Sequence, residues 1–312
     1  MIQLNIPKKN CQSLVQKASE SDLNFRWSQG KRRVNIDIEQ DRHKFELYVL
    51  RWALGSRHII PPAIKPKLFD GIEVLDINCG PGLWDGHPIL DMAQDFVHSS
   101  FYLVDTHSLL PQYASVDTSP GEQRLDNFTF IAHNTLQEKC LPFESDKFDF
   151  IQQRLMSFVY KQQDWPVILK ELQRVTKPGG CIQLVEVEIP PQNLGPQGEQ
   201  WLAQVEKVMK EKRDIDVRVT SQLDQILSAA GLLDIQTKFV SVPIGSWGLD
   251  IGNLWRQNYE LFFESAQPIL VELMEMSHSE YKRKVDAMMD ELNEYKPFSN
   301  IHLVWGRVPG DS

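Results

Sequence analysis

The sequence predicts an α/β fold built around a mostly parallel β-sheet. Short apolar runs alternate with longer amphipathic segments over most of the chain, and this rhythm favours βαβ units over a β-sandwich. A turn containing Gly80 and Gly82 directly follows the first apolar run. Such a turn is typical of the carboxyl end of a strand that approaches a ligand.

The elements of the first half follow in order. Residues 1–33 are polar and weakly periodic, so we expect a loosely attached arm. Apolar positions at helical spacing then predict a helix over residues 38–54, with Gly55 after it. Five apolar runs predict strands at residues 73–77, 100–104, 128–131, 148–151 and 181–185.

The second half alternates between helices and strands. A helix over residues 165–172 is expected to stop at the Lys-Pro-Gly-Gly sequence at 177–180, where the fifth strand would start. Later elements are predicted as helices around Trp201 and Leu223, a strand at 235–242, helices at 252–275 and 278–295, and a strand at 301–305. Because the last two helices interrupt the sheet, we expect them to form a lid over its binding edge.

Composition narrows the class of protein. The 312 residues carry a net charge of −9, so nucleic acid is not the expected partner. The basic cluster at residues 31–33 is interpreted as solvated surface. The four cysteines lack the paired spacing of zinc or redox sites, so no metal is expected and a reducing compartment is favoured. Without a signal-like or membrane-spanning apolar stretch, the expected location is the cytoplasm or the nucleus, away from membranes.

The turn after the first predicted strand is the candidate binding site for a cofactor. A dinucleotide motif would place a third glycine at position 85, which is Asp85. Asp76 stands at the start of the turn, where a carboxylate can orient loop amides or meet a cationic ligand. A sulfonium cofactor with an amino group fits such a site. Asp105, after the second strand, could hold the two hydroxyls of a ribose or cap a helix, and its position favours ribose.

Three blocks in this order and spacing resemble class I methyltransferases: residues 74–84 (VLDINCGPGLW), 141–150 (LPFESDKFDF) and 171–180 (ELQRVTKPGG). Shorter segments are closer to the fungal LaeA-like methyltransferases of secondary metabolism: 39–42 (EQDR), 153–155 (QRL), 164–166 (DWP), 184–186 (LVE) and 304–309 (VWGRVP). The resemblance covers about residues 36–309.

The resemblance implies a Rossmann-like class I methyltransferase fold. The expected sheet has seven mostly parallel strands, with an N-terminal helical extension and a helical lid between strands six and seven. The implied cofactor is S-adenosyl-L-methionine. Its implied binding residues are Asp76, Asn78, Gly80 and Gly82 in the loop, Asp105 at the ribose, Asn134 beside the adenine, and Gln153 and Arg154 at the methyl-donor end. We expect an extension at 1–70, a cofactor-binding core at 71–190 and the rest of the sheet with the lid at 191–312.

The sequence departs from this family in three places. Asn78 replaces the usual first glycine, residues 85–87 look like an insertion, and Asn134 stands where many relatives carry Asp. Asparagine tolerates the left-handed backbone conformation, so the turn can survive while cofactor affinity could suffer.

The functional hypothesis is transfer of a methyl group to a small-molecule or protein acceptor. The alternative is a catalytically silent regulatory protein that acts through partner proteins, and a nicotinamide dehydrogenase is disfavoured by the missing glycine.

No residue pair demands the role of general base, so the catalytic residues are unknown. His133 is favoured as a packing or surface residue, and Glu186 stays open between a cap and a substrate contact. The lid aromatics are favoured as core, although they could line a pocket: Trp247, Trp255, Tyr259, Phe262 and Phe263.

Overall fold

The computed structural model describes residues 36–78, 88–106 and 126–310. Its centre is a seven-stranded sheet in the order β3-β2-β1-β4-β5-β7-β6. The strands are β1 (Glu73–Ile77), β2 (Ser100–Asp105), β3 (Phe128–Ala132), β4 (Phe148–Arg154), β5 (Thr176–Val187), β6 (Leu233–Pro243) and β7 (Phe298–Arg307).

The strand directions determine where a ligand can bind. β1 pairs in parallel with both β2 and β4, while β7 is antiparallel to its neighbours β5 and β6. The chain moves outward from β1 through β2 to β3 and then returns to β4 on the other side of β1. The order therefore reverses between β1 and β4, and the carboxyl ends of these strands flank the crevice where open α/β sheets bind ligands.

Ten helices, all within the described ranges, surround the sheet. They are α1 (Ile36–Leu54), α2 (Lys65–Asp70), α3 (Pro88–Asp95), α4 (Thr135–Glu138), α5 (Asp164–Val175), α6 (Pro196–Arg213), α7 (Leu223–Ala229), α8 (Leu249–Met274), α9 (His278–Asp290) and α10 (Leu292–Tyr295). Short 3-10 helices at Val217–Gln222 and Ser246–Gly248 precede α7 and α8.

The sheet packs on both faces, as the alternation of side chains along its strands requires. Val74 and Phe150 join an apolar cluster on the side of α2 and α3, whereas Leu75 and Ile151 join a cluster with residues of α5 and α7. A third cluster is built around Trp201, Trp255 and Phe263, and it joins α1 to α6, α8 and α9. This cluster also contains Val185, Val242 and Ile301 of the sheet, so the lid helices pack onto the sheet through it.

The predicted fold class is confirmed, and α8 to α10 lie between β6 and β7 as the expected lid does. One detail of the prediction is wrong, because residues 278–295 form α9 and α10 instead of one helix. As predicted, α5 ends just before residues 177–180 and β5 starts there, at Thr176. The pairing with β4 shifts there from Phe148–Thr176 to Phe150–Cys181, so the glycines form a bulge within the strand.

The start of α8 is fixed by a close backbone contact. The amide of Gly245 donates a hydrogen bond to the carbonyl oxygen of Gly252 at 3.0 Å. A Cβ atom at position 252 would lie 2.2 Å from the carbonyl oxygen of Gly245. Only glycine permits this approach, which anchors the lid to the end of β6.

We therefore expect Gly252→Ala to lower the free energy of unfolding by about 1–3 kcal/mol, because the added methyl group forces α8 away from Gly245. Urea denaturation measures the change. Gly310→Ala is the matched control, since a Cβ there meets nothing within 4 Å. Equal unfolding midpoints for the two variants would contradict the contact.

Candidate functional site

A buried carboxylate joins β1 to β4 at the reversal point. The Oδ2 atom of Asp76 accepts hydrogen bonds from Gln152 Nε2 at 3.1 Å and from Arg154 Nη2 at 2.8 Å. Burial raises the pKa of Asp76, and the Arg154 charge opposes that rise. The other oxygen, Oδ1, is buried and has no hydrogen-bond partner in the described part of the chain. Asp76 can therefore still accept a donor.

Asn78 begins the turn after β1 in the left-handed conformation, with φ of 54°. Its side-chain nitrogen Nδ2 donates to the Tyr160 hydroxyl, which donates in turn to Gln153 Oε1 at 3.1 Å. Gln153 is buried, and its Nε2 atom has no partner among the described residues. A chain of three polar side chains therefore crosses the reversal point and ends in an unused donor.

Asp105 ends β2 beside these residues and is buried. One carboxylate oxygen accepts hydrogen bonds from the Thr106 amide at 2.7 Å and the Thr106 hydroxyl at 3.1 Å. The backbone carbonyl of Asp105 accepts a hydrogen bond from the His133 amide, which ties β2 to the end of β3. The Asp105 carboxylate is therefore held in place by its own turn.

Asn134 is the N-cap residue of α4. Its Oδ1 accepts a hydrogen bond from the Gln137 amide at 3.0 Å, and its Nδ2 lies 3.3 Å from Gln137 Oε1. The neighbouring His133 places its Nε2 atom 2.6 Å from the carbonyl oxygen of Cys140. The structure thus gives both side chains local structural contacts.

The structure brings Asp76, Asn78, Gln153 and Arg154 together through strand pairing and hydrogen bonds. Asp105 lies on the adjacent strand, where Val104 pairs with Ile77. The predicted loop residues Gly80 and Gly82, and the insertion at 85–87, lie outside the described residues.

Glu186 holds the turn that follows β4. Its carboxylate accepts hydrogen bonds from the Met156 amide at 2.8 Å, the Ser157 amide at 3.1 Å and the Ser157 hydroxyl at 2.7 Å. Leu155, at the start of this turn, has φ of 61°, an uncommon conformation for leucine. Burial raises the pKa of Glu186 to about 7, while the hydrogen bonds from residues 156 and 157 oppose the rise. Glu186 is therefore a cap for the turn.

A cavity opens beyond the same turn, between the carboxyl ends of β4 and β5 and the helices α1 and α8. It measures about 840 Å³ out to its open mouth, and Glu186 also lines it. Its aromatic walls are Phe158, Trp255, Tyr259, Phe262 and Phe263. Because four of these five belong to the predicted lid set and also pack in the core, they serve both roles. Trp247 is not among the lining residues and donates its indole hydrogen to the Ile244 carbonyl.

Sequence reasoning missed three polar residues of this cavity: Arg42, Glu46 and Asn258. Arg42 donates to Glu46 at 3.3 Å. Glu46 and Asn258 are both buried. Each lies on an apolar helix face, three residues from a buried apolar side chain: Val49 in the case of Glu46, and Trp255 in the case of Asn258. A polar residue at a core position of an amphipathic helix was the available signal.

Two further properties bear on the class of site. Across residues 36–78, 88–106 and 126–310, no group of three or more His, Cys, Asp or Glu side chains could hold a metal ion. Nor does any described helix combine the length and apolarity needed to span a membrane.

Comparison with known proteins agrees with this architecture. A family model described as a methyltransferase domain matches residues 74–180, which include β1, β4 and the glycine turn. Secondary metabolism regulator LAE1 of Cochliobolus heterostrophus is 25% identical over 243 residues, covering 73% of this chain and 72% of that protein. Residues 74–180 thus match a methyltransferase domain, the class of protein that the sequence resemblance implies. Within that class, the similarity to LAE1 confirms the resemblance to the LaeA-like group.

Solved structures of methyltransferases are also similar. Haemonchus contortus phosphoethanolamine N-methyltransferase 2, in complex with phosphomonomethylethanolamine and S-adenosylhomocysteine, is 16% identical with a TM-score of 0.44. The similarity covers 89% of this chain and 61% of that enzyme. A methyltransferase from Methanosarcina mazei is 14% identical with a TM-score of 0.46, covering 81% of this chain and 99% of the other.

The raised pKa of Glu186 has a consequence for stability. Between the ordinary value of 4.5 and about 7, folded Glu186 keeps a proton that the unfolded chain loses. The free energy of unfolding should therefore fall as pH rises through this window, by on the order of 3 kcal/mol from this residue.

Glu186→Gln should remove that part of the pH dependence. Urea unfolding from pH 4.5 to pH 8 measures it, with the exposed Glu199→Gln as the matched control. Parallel pH profiles for wild type and Glu186→Gln would show that burial does not shift this carboxyl group.

Proposed function

We propose that this protein transfers a methyl group from S-adenosylmethionine to an acceptor held in the cavity under α8. The observation that carries the proposal is the set of buried, unpartnered polar atoms at the reversal point between β1 and β4, within the described chain. The β4 turn links this set to the cavity, because Gln153 and Arg154 precede Leu155 directly. A small molecule and a protein side chain are both candidate acceptors.

The residues present fit the cofactor. Asp76 Oδ1 can accept a hydrogen bond from an amino group or from the loop amides, and Gln153 Nε2 and Arg154 Nε are unused donors among the described residues. These groups suit the charged amino-acid end of S-adenosylmethionine. Asp105 would hold the ribose, and Gly80 and Gly82 would complete the loop. Asn134 would lie beside the adenine only in addition to its role as a cap.

S-adenosylmethionine supplies an electrophilic methyl group, and the protein's task is to align the acceptor and exclude water. The cavity walls favour both, since most of the lining side chains are apolar, both aromatic and aliphatic. We propose a matching division of the chain into an extension at 1–70, a cofactor-binding core at 71–190 and a lid-bearing part at 191–312. We also propose a cytoplasmic or nuclear location and no nucleic-acid partner.

A second candidate is a catalytically silent protein that keeps the fold and acts through partner proteins. The LAE1 protein is described as a regulator, and that description is the first support. The second is Asn78, whose side chain lies at the turn where the family has glycine and is held by Tyr160. Cofactor binding separates the two candidates.

The direct test is calorimetric titration of the full chain with S-adenosylmethionine, S-adenosylhomocysteine and NADH. Micromolar binding of the first two, without NADH binding, is the expected result. Absence of binding for all three would make the silent regulator the better proposal.

Asp105→Ala should weaken S-adenosylmethionine binding by about 1.5–3 kcal/mol, because a carboxylate that accepts ribose hydroxyls is lost. The same titration measures this change. Asp234→Ala, at the exposed end of β6, is the control and should bind as wild type does. Unchanged affinity in Asp105→Ala would remove Asp105 from the ribose site.

A further inference from the structure

Asn258 carries a buried side-chain amide on the side of α8 that faces the cavity. It lines the cavity from α8 and is 4% exposed. Its Oδ1 atom has no hydrogen-bond partner in the described structure. The next residue, Tyr259, is different, since its hydroxyl lies 2.9 Å from Ser299 Oγ. A buried amide left in this state destabilises the fold, so the cost requires an explanation.

A second unused group lies on the same face of α8. Trp255 precedes Asn258 by three residues, which places both side chains on one side of the helix. Trp255 is fully buried, lines the same cavity and has an indole N–H with no acceptor among the described residues. One helix face therefore offers an unused acceptor beside an unused donor.

The charges around the cavity restrict the ligand further. Glu46 and Glu186 line it, whereas Arg42, which is paired with Glu46, is the cation among the residues that line it. An anionic ligand would meet two carboxyl groups and one guanidinium that is already engaged. Most of the other lining residues are apolar, both aromatic and aliphatic, so the cavity favours an apolar body with a flat part that can lie against its aromatic walls.

We propose that the cavity binds an uncharged, flat and largely apolar molecule whose polar group places a hydrogen-bond donor next to an acceptor, as a lactam does. Asn258 recognises this group, with the Trp255 indole as a second contact. The inference rests on the proposed function in one respect, namely that the bound molecule is the methyl acceptor.

Equilibrium dialysis of the full chain tests this with three probes of similar size. 2-Quinolinone carries the lactam, naphthalene lacks polar atoms, and 2-naphthoate carries a negative charge. At pH 8, wild-type protein should bind 2-quinolinone at least tenfold more tightly than either of the others. Equal binding of 2-quinolinone and naphthalene, or tighter binding of 2-naphthoate, would overturn the proposal.

Asn258→Leu separates recognition from folding. It should weaken 2-quinolinone binding at least tenfold and leave naphthalene binding equal or tighter. Its melting temperature should equal or exceed that of wild type, because Asn258 Oδ1 accepts no hydrogen bond from the described residues. Asn253→Leu, at an exposed position of the same helix, should bind all probes as wild type does. Retained 2-quinolinone affinity, or a lower melting temperature for Asn258→Leu alone, would show that Asn258 has a structural role instead.

Titration with S-adenosylhomocysteine in the same samples keeps the two proposals apart. If S-adenosylhomocysteine fails to bind while 2-quinolinone binds through Asn258, the proposed methyl transfer fails and the ligand site stands. If S-adenosylhomocysteine binds while 2-quinolinone shows no dependence on Asn258, the ligand assignment fails and the proposed function stands.

Discussion

The buried carboxylate of Asp76 is the constraint on which the arrangement of the site depends. It sits in β1 and is held by two side chains of β4, Gln152 and Arg154. A charge that is fully buried is tolerated only with such partners. The bonds therefore join the two strands at the point where the sheet order reverses. Asn78, Gln153 and Arg154 lie at the ends of this pair of strands, and Asp105 ends the neighbouring β2.

The turn after β4 lies between the polar residues at the end of β4 and the cavity under α8. Gln153 and Arg154, at the end of β4, are hydrogen-bonded to Tyr160 and Asp76. Of the residues that follow, four line the cavity, namely Leu155, Ser157, Phe158 and Val159. Glu186 from β5 holds the backbone between these two groups. Residues 153–159 thus connect the polar side chains at the reversal point to the apolar cavity.

Much of the sheet could be predicted from the sequence, because each strand is an apolar run between turn residues and its pairing follows from βαβ connection rules. Gly179 and Gly180 predict the end of the preceding helix but not the bulge in β5, since glycine marks turns and strand bulges alike. Only the pairing with β4 shows that these glycines form a bulge. The break between α9 and α10 could not be predicted in the same way, because the apolar residues keep their helical spacing across it.

The family resemblance named Asp76, Asn78, Gln153 and Arg154 together, and strand pairing and hydrogen bonds bring them together at strand ends. Their role in cofactor binding stays a prediction. Asn258 and Glu46 were missed because their importance depends on burial within helices, and which helix face is buried is decided by packing. The role of Glu186 as a cap depends on Met156 and Ser157, thirty and twenty-nine residues earlier. The sequence around Glu186 therefore could not predict this contact.

The position of β7 has a consequence for biosynthesis. This strand comes last in the described chain, yet it lies inside the sheet, between β5 and β6. On the ribosome, β1 to β5 can pair as they emerge, whereas β6 has no neighbour until residues 298–307 leave the exit tunnel. The lid helices are made before that moment and must wait beside an open edge of β5. The sheet therefore cannot close while only β1 to β6 have been made, because residues 298–307 supply the strand that joins β6 to β5.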